Sequence, residues 1–123
     1  MKLAVCAQGE GLTAPVDQRF GRCPYFVILD TERGELIKSI SNSGARAPGG
    51  AGTQTARLLF AEKVEAVAVG NIGPNAATAL RAADIKVYSG ITGTVEETLN
   101  LYSEGKLNLV SGPTVDSHFG STQ

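Results

Sequence analysis

The sequence lacks any run of like charges and any long apolar segment. Eleven Lys and Arg residues nearly balance twelve Asp and Glu residues, and the formal net charge is −1. That balance excludes a general nucleic-acid or anionic-membrane surface, so charge-based binding must be local. No apolar run approaches the roughly 18 to 20 residues that a membrane span needs, and the apolar part of MKLAVCAQGEG is too short for a signal peptide. We therefore expect a cytoplasmic protein without nucleic-acid or membrane partners.

Cysteine is also scarce. Cys6 and Cys23 are too few for a disulfide framework and too far apart for a CxxC pair, so we expect free thiols in a reducing compartment. Internal repeats and low-complexity segments are absent. The 123 residues, 42% of them hydrophobic, are enough for one domain with a substantial core.

Apolar periodicity divides the chain into five predicted strands and three predicted helices. The strands are KLAVCA, YFVILD, ELIKSI, EAVAV and IKVYS. The first helix is TQTARLLFAEK, where Ala56, Leu59, Phe60 and, directly after the segment, Val64 follow an apolar i, i+3, i+4 rhythm. The second begins at Pro74, and the third runs from the capping box at Thr94 and Glu97 to Gly105. The order β-β-β-α-β-α-β-α predicts an α/β domain over residues 1–110, with a mixed five-stranded sheet and helices on its faces. A flexible polar tail is predicted over residues 111–123.

One loop of this fold is unusually rich in glycine. Residues 45–56 read ARAPGGAGTQTA, with Gly49, Gly50 and Gly52 falling within four positions. Glycine lets backbone come close to a ligand or to other backbone. Because ligand crevices lie at the carboxyl ends of parallel strands, we expect this loop to meet the segments QGEGLTAPVDQRFGRCP, GNIGPNA and GITGT there.

Several catalytic or nucleotide-binding functions fit the motifs poorly. GAGTQT matches GxGxxG only with Thr55 in the third glycine position, no acidic residue ends the next strand, and GxxxxGK[ST] is absent. A metal-dependent nuclease would need clustered carboxylates, one normally on the first strand, where KLAVCA has a thiol. Nucleophilic catalysis by Cys23 with His118 as base would depend on a histidine in the predicted tail.

The segment DQRFGRCPYF indicates anion binding. Arg19 and Arg22 place two permanently charged guanidinium groups beside Cys23, which favours a thiolate and attracts anions. Arg46, the glycine loop and a helix N-terminus would add further donors. The alternative is that Phe20 only caps the core while the arginines pair with Asp17 or with glutamates. Cys6, within an apolar strand, is expected to be a packing residue.

Four segments together, DQRFGRCPYFVILD, GGAGTQTARLL, GNIGPNAATAL and KVYSGITGTVEETL, resemble the dinitrogenase iron-molybdenum cofactor biosynthesis family over about residues 1–110. The resemblance implies a ribonuclease H-like three-layer α/β domain without nuclease activity that carries iron-molybdenum cofactor precursors or related clusters. Some relatives bind a molybdenum-copper sulfide cluster. The family pattern implies site positions at Phe20, Gly21, Arg22, Gly49, Gly50, Gly52, Gly73, Pro74, Asn75 and Ala76. Arg19 is added as a cofactor-binding residue for its charge. Histidine-rich tails of some relatives are absent, and the tail keeps only His118.

From these observations we expect a non-catalytic carrier of a molybdenum-containing metal-sulfur cluster, either Mo-Fe-S or Mo-Cu-S. The cluster is expected to be held non-covalently or by weak ligation, with Cys23 and His118 as candidate metal ligands. Cluster-assembly or acceptor proteins are its expected partners. Two other hypotheses stay open: an enzyme acting on a nucleotide or phosphorylated ligand in the same crevice, and a cofactor-free regulatory interaction module.

Overall fold

A computed structural model describes residues 1–46 and 51–112 of the chain. Gly49, Gly50 and His118 lie outside these residues, as does residue 113 onward of the predicted tail. Within them, each of the five predicted strands and three predicted helices forms. Their bounds are β1 Lys2–Ala7, β2 Tyr25–Asp30, β3 Glu35–Ser41, a 3-10 helix Ser43–Arg46, α1 Ala51–Ala61, β4 Ala66–Ala68, α2 Pro74–Ala82, β5 Lys86–Ser89, α3 Val95–Ser103 and β6 Asn108–Val110.

The prediction of a five-stranded sheet is wrong, because β6 adds a sixth strand. It pairs antiparallel with β5, so that Val110 lies opposite Val87 and Asn108 opposite Ser89. The strand is only three residues long, and the side chain of Leu109 is 62% exposed. A short edge strand with an exposed apolar residue shows no alternation of apolar and polar residues that matches burial, and for that reason the sequence pattern did not reveal it.

The sheet is mixed, with the strand order β3-β2-β1-β4-β5-β6. Parallel pairing joins β1 to β4 and β4 to β5, whereas β2 runs antiparallel to both β1 and β3. Strands β1, β3, β4 and β5 therefore all end at the same edge of the sheet. We call this edge, formed by residues 8–24, 42–46, 69–73 and 90–94, the loop edge.

The core lies on both faces of the central strands. Successive residues of a strand point to opposite faces, and Leu3, Ala4, Val5 and Cys6 of β1 are all fully buried. Neighbouring β4 is buried along its whole length. Burial of both faces is the pattern of a sheet covered by helices on each side, which is the layered α/β architecture.

The helices mostly follow the predicted apolar faces. In α1, Ala56 and Leu59 are buried as expected, but the prediction for Phe60 is wrong because its side chain is 64% exposed. The stripe is instead completed by Thr55, which is fully buried. The predicted capping box begins α3, where the Oγ1 of Thr94 accepts a hydrogen bond of 3.2 Å from the backbone N–H of Glu97. Among the residues that the structure describes, no helix has the length and apolar character to cross a membrane.

Candidate functional site

The long loop after β1 crosses the loop edge and contacts the other loops there. The backbone N–H of Val16 donates to the carbonyl of Gly93 at 2.9 Å, and the side-chain amide of Gln18 donates to the carbonyl of Ile91 at 3.2 Å. The backbone N–H of Asn71 donates to the carbonyl of Gln18 at 2.8 Å. The predicted gathering of the loops is confirmed for their described residues.

This gathering depends on a close backbone approach at Gly70, which follows β4. A Cβ atom added there would lie 2.7 Å from the Cα atom of Gln18, which is closer than two non-bonded carbon atoms come in proteins. Glycine is therefore required for the loop after β1 to lie against the end of β4.

Residues 17–23 form a tight turn, which we call the arginine turn. The backbone N–H of Cys23 donates to the carbonyl of Arg19 at 3.0 Å, and that of Arg19 donates to Oδ1 of Asp17 at 2.9 Å. The thiol of Cys23 donates to the carbonyl of Phe20 at 3.2 Å. These bonds close the turn from within and direct its two arginines outward.

Both arginines of the turn are exposed, with different partners. The Nε atom of Arg19 lies 3.6 Å from Oδ1 of the buried Asp17. This ion pair is the one expected if the arginines only pair with nearby acidic residues. Arg22 donates from Nη1 to the carbonyl of Ala45 at 2.9 Å. Since Ala45 lies in the 3-10 helix at the start of the glycine-rich segment 45–56, this hydrogen bond joins the arginine turn to that segment.

Phe20 and the cysteines of this region point inward. The ring of Phe20 is only 2% exposed and packs against Phe26, with ring centroids 5.8 Å apart, so it anchors the turn to the core. Cys6 and Cys23 are free thiols without exposed surface. The pKa of Cys6 is well above its usual range, first because of burial and then because of its hydrogen bond and charge interaction with Cys23.

Burial of Cys23 bears on its predicted role as a metal ligand. Metal ions bind the thiolate form of cysteine, whereas the Cys23 thiol is fully buried and donates a hydrogen bond to the carbonyl of Phe20. Across residues 1–46 and 51–112 there is no group of three or more His, Cys, Asp or Glu side chains that could hold a metal ion. Ligation by Cys23 stays a prediction that needs the arginine turn to open.

The N-termini of α1 and α2 meet at the loop edge. A Cβ atom added to Gly52, the second residue of α1, would lie 2.8 Å from the Cβ atom of Ala76 in the first turn of α2. Gly52 therefore allows the two helices to approach each other closely. Because each helix N-terminus carries a partial positive charge, bringing two together favours an anion nearby.

The three helices differ in how their N-termini are capped. Gly73 caps α2 with no side-chain hydrogen bond, Pro74 follows in the first turn, and neither α1 nor α2 has an acidic residue in its first turn. Helix α3 instead has Glu96 and Glu97 there, together with the Thr94 cap. The positive ends of α1 and α2 are thus not neutralised by acidic residues of their own first turns, whereas that of α3 is.

Sequence reasoning missed one residue of this region, Asn42. Its side chain is 4% exposed and lies between the arginine turn and α1. The amide nitrogen donates to the carbonyl of Cys23 at 2.8 Å, and the amide oxygen accepts from the hydroxyl of Thr55 at 3.1 Å. A polar residue immediately after a strand was the available signal, but its partners are distant in sequence.

Two surface cavities lie away from these residues. One of about 350 Å³ is lined by residues of α2, β5 and β6, and one of about 710 Å³ lies around Met1 and Phe60. Neither lining includes a predicted site residue. The predicted site residues that the structure describes thus lie outside both of these cavities.

Comparison with known proteins identifies a family and several similar proteins. Residues 1–105 match the family described as dinitrogenase iron-molybdenum cofactor. The apo form of the orange protein from Desulfovibrio gigas is 33% identical, with a TM-score of 0.87 over 93% of this chain and 96% of that one. A NifB-like protein from Thermotoga is 36% identical, with a TM-score of 0.79 over 93% and 97% of the two chains. An uncharacterized protein of Methanocaldococcus jannaschii is 35% identical over 103 residues, which are 78% of this chain and 87% of that protein.

Proposed function

Since the chain belongs to the dinitrogenase iron-molybdenum cofactor family, we propose that it binds and carries a molybdenum-containing metal-sulfur cluster at the loop edge and catalyses no reaction. The observation that carries the proposal is the convergence there of two exposed arginines with two helix N-termini that lack acidic residues in their first turns. The similarity to an orange protein described in its apo form supports a carrier. Family membership also supports a ribonuclease H-like assignment of the fold.

Charge and hydrogen bonding explain how such a surface would hold its cargo. A metal-sulfide cluster is a multi-atom anion whose outer sulfur atoms accept hydrogen bonds. Arg19 and Arg22 supply positive charge, and backbone N–H groups at the starts of α1 and α2 supply donors. Many weak contacts of this kind retain a cluster without a protein ligand on each metal, which fits the burial of both cysteines.

The residues proposed to line the site divide by role. Arg19, Gly21 and Arg22 of the arginine turn would contact the cluster, together with Gly73, Pro74 and Asn75 at the start of α2. Gly52 would contribute by keeping the two helix N-termini close, and Phe20 by anchoring the turn. Gly49 and Gly50 are proposed as further backbone donors on the resemblance alone.

The test is metal retention by protein purified without oxygen. Tetrathiomolybdate would be added with copper or with iron, excess removed by desalting, and molybdenum, copper and iron measured together with visible absorption. Stoichiometric molybdenum with new charge-transfer bands is expected, and the copper and iron arms identify the second metal. A colourless protein without molybdenum in every arm would overturn the proposal.

Arg22→Ala tests the placement of the site. Loss of a charge-assisted hydrogen bond of about 1.5–3 kcal/mol should speed cluster release by about tenfold or more. Arg33→Ala is the matched control, because it removes the same charge from the turn between β2 and β3, at the opposite edge of the sheet. Equal release from the two variants would remove Arg22 from the site.

A phosphorylated ligand is the second candidate, because the same donors bind phosphate. A ligand that binds only the folded protein raises its melting temperature according to occupancy. A rise in melting temperature with one member of a nucleotide panel, in protein that retains no molybdenum, would favour a phosphorylated ligand.

A further inference from the structure

Asn42 contacts both halves of the proposed site. It follows β3 directly and belongs to neither the arginine turn nor α1. Its side-chain nitrogen donates to the carbonyl of Cys23 at 2.8 Å and, more weakly, to that of Gly21 at 3.5 Å. Its side-chain oxygen accepts from the hydroxyl of Thr55 at 3.1 Å. One planar amide therefore joins the turn that bears the arginines to the helix whose N-terminus faces the loop edge.

The backbone of Asn42 reinforces this connection. Its N–H donates to the carbonyl of Pro24 at 2.9 Å, and its carbonyl accepts from the N–H of Ala45 at 3.1 Å. Ala45 is in turn the residue whose carbonyl accepts from Arg22. Turning the amide over would place its oxygen against the carbonyl of Cys23, so that two acceptors would face each other, and this contact fixes the orientation of the amide.

Burial makes these bonds effective restraints. Thr55 is fully buried and Asn42 is 4% exposed, so water does not readily replace a lost partner. A buried polar group without a partner is costly, and the turn and α1 are held at the separation that satisfies both ends of the amide.

We propose that Asn42 and Thr55 are the positioning residues of the cluster site, and that they set the spacing between the arginine turn and the first turn of α1. The inference rests on the proposed function, because it concerns the geometry of that same surface. Neither side chain touches the cargo. They act through Arg22 and through the N-terminus of α1.

The test cuts the connection at Thr55, since replacing Asn42 itself would leave buried carbonyls without donors and risks unfolding. Thr55→Val keeps the shape and removes the hydroxyl, and Thr55→Ser keeps the hydroxyl. Thr98→Val is the matched control, because Thr98 is also fully buried on a helix but donates only locally, to the carbonyl of Thr94 at 3.2 Å.

Two readouts are compared. The first is hydrogen exchange of residues 17–24 in cluster-free protein, and the second is the release rate of a cluster formed from tetrathiomolybdate and copper. We expect Thr55→Val to accelerate exchange in residues 17–24 and to speed release roughly three- to tenfold, which matches the loss of one buried hydrogen bond. Thr55→Ser should restore both values, and Thr98→Val should change neither beyond a factor of about two.

The outcomes separate this inference from the proposed function. If wild-type protein retains no molybdenum, the carrier proposal fails, and the positioning role is then decided by hydrogen exchange alone. If wild-type protein retains the cluster but Thr55→Val and Thr98→Val behave alike in both readouts, the positioning role is overturned while the carrier proposal stands.

Discussion

The approach of α1 to α2 at Gly52 and Ala76 gives a quantitative prediction. In Gly52→Ala the new Cβ atom would lie 2.8 Å from the Cβ atom of Ala76 and 3.2 Å from its Cα atom. Restoring an ordinary carbon–carbon separation of about 3.5–4.0 Å requires the two helix N-termini to move apart by about 1 Å. The substitution therefore acts on the geometry of the loop edge as well as on stability.

The size of the effect follows from two opposing contributions. Overpacking costs about 1–3 kcal/mol, and the better helix propensity of alanine offsets up to about 1 kcal/mol of that cost. We expect Gly52→Ala to lower the free energy of unfolding by about 1 kcal/mol, a fall in melting temperature of about 4 °C for a chain of this size. Ala76→Gly alone should cost about 1–2 kcal/mol through lost burial of a methyl group and lower helix propensity.

The decisive measurement is a double-mutant cycle by urea unfolding. In the double variant Gly52→Ala with Ala76→Gly, the methyl group only changes sides, so the clash is largely relieved. The combined loss should be smaller than the additive expectation by about 1 kcal/mol or more. Additivity within about 0.5 kcal/mol would show that the two residues do not oppose each other and would refute the proposed role of Gly52.

Three further predictions concern the scaffold of the site. Gly70→Ala, whose added Cβ atom meets the backbone of Gln18 at 2.7 Å, should lower the free energy of unfolding by about 2–3 kcal/mol. Gly9→Ala, with 3.7 Å to its nearest neighbour, should change it by no more than about 0.5 kcal/mol, and equal losses would contradict the close approach. The raised pKa of Cys6 means that the native chain keeps a proton which the unfolded chain releases above about pH 9.0. The free energy of unfolding should therefore fall as the pH rises above that value, by up to about 1.4 kcal/mol per pH unit. Cys6→Ala should reduce this slope in urea unfolding measured at several pH values, and an unchanged slope would show that the Cys6 thiol ionises alike in the folded and unfolded chain. Thr94→Ala should cost about 1 kcal/mol through loss of the α3 cap, measured by calorimetry, with Thr94→Ser close to wild type; an unchanged melting temperature would exclude the cap as a source of stability.

Local periodicity was sufficient to predict most of the fold. Strands such as β1 and helices such as α3 have apolar repeats and caps within their own few residues, so the pattern and the structure agree. Strand β6 lacked such a pattern because Leu109 is exposed at a sheet edge. The error at Phe60 has a related cause. The buried face of α1 is centred on Thr55 and Leu59, and a polar residue such as Thr55 is not expected in the core unless its hydrogen-bond partner is known.

The gathering of the loops at one edge was predictable, but the contacts of their side chains were not. Strand order alone brings the loops to one edge, and that expectation is confirmed. Within a loop no period tells which side chains point inward, so the burial of Phe20 was expected only as an alternative and that of Cys23 was not foreseen. The role of Asn42 was equally hidden, because its bonds reach Cys23 on one side and Thr55 on the other.

The contacts of the first loop also determine when the loop edge can form. Gln18 bonds to a residue 73 positions further along the chain, and Ala14 accepts from the N–H of Val95. A chain still being synthesised holds its early loop by none of these bonds until residues 91–95 have emerged. Contacts so distant in sequence form late, because the intervening chain must first be ordered. Under the proposed carrier function, a cluster can therefore be held at the loop edge only after residues 91–95 have joined the fold.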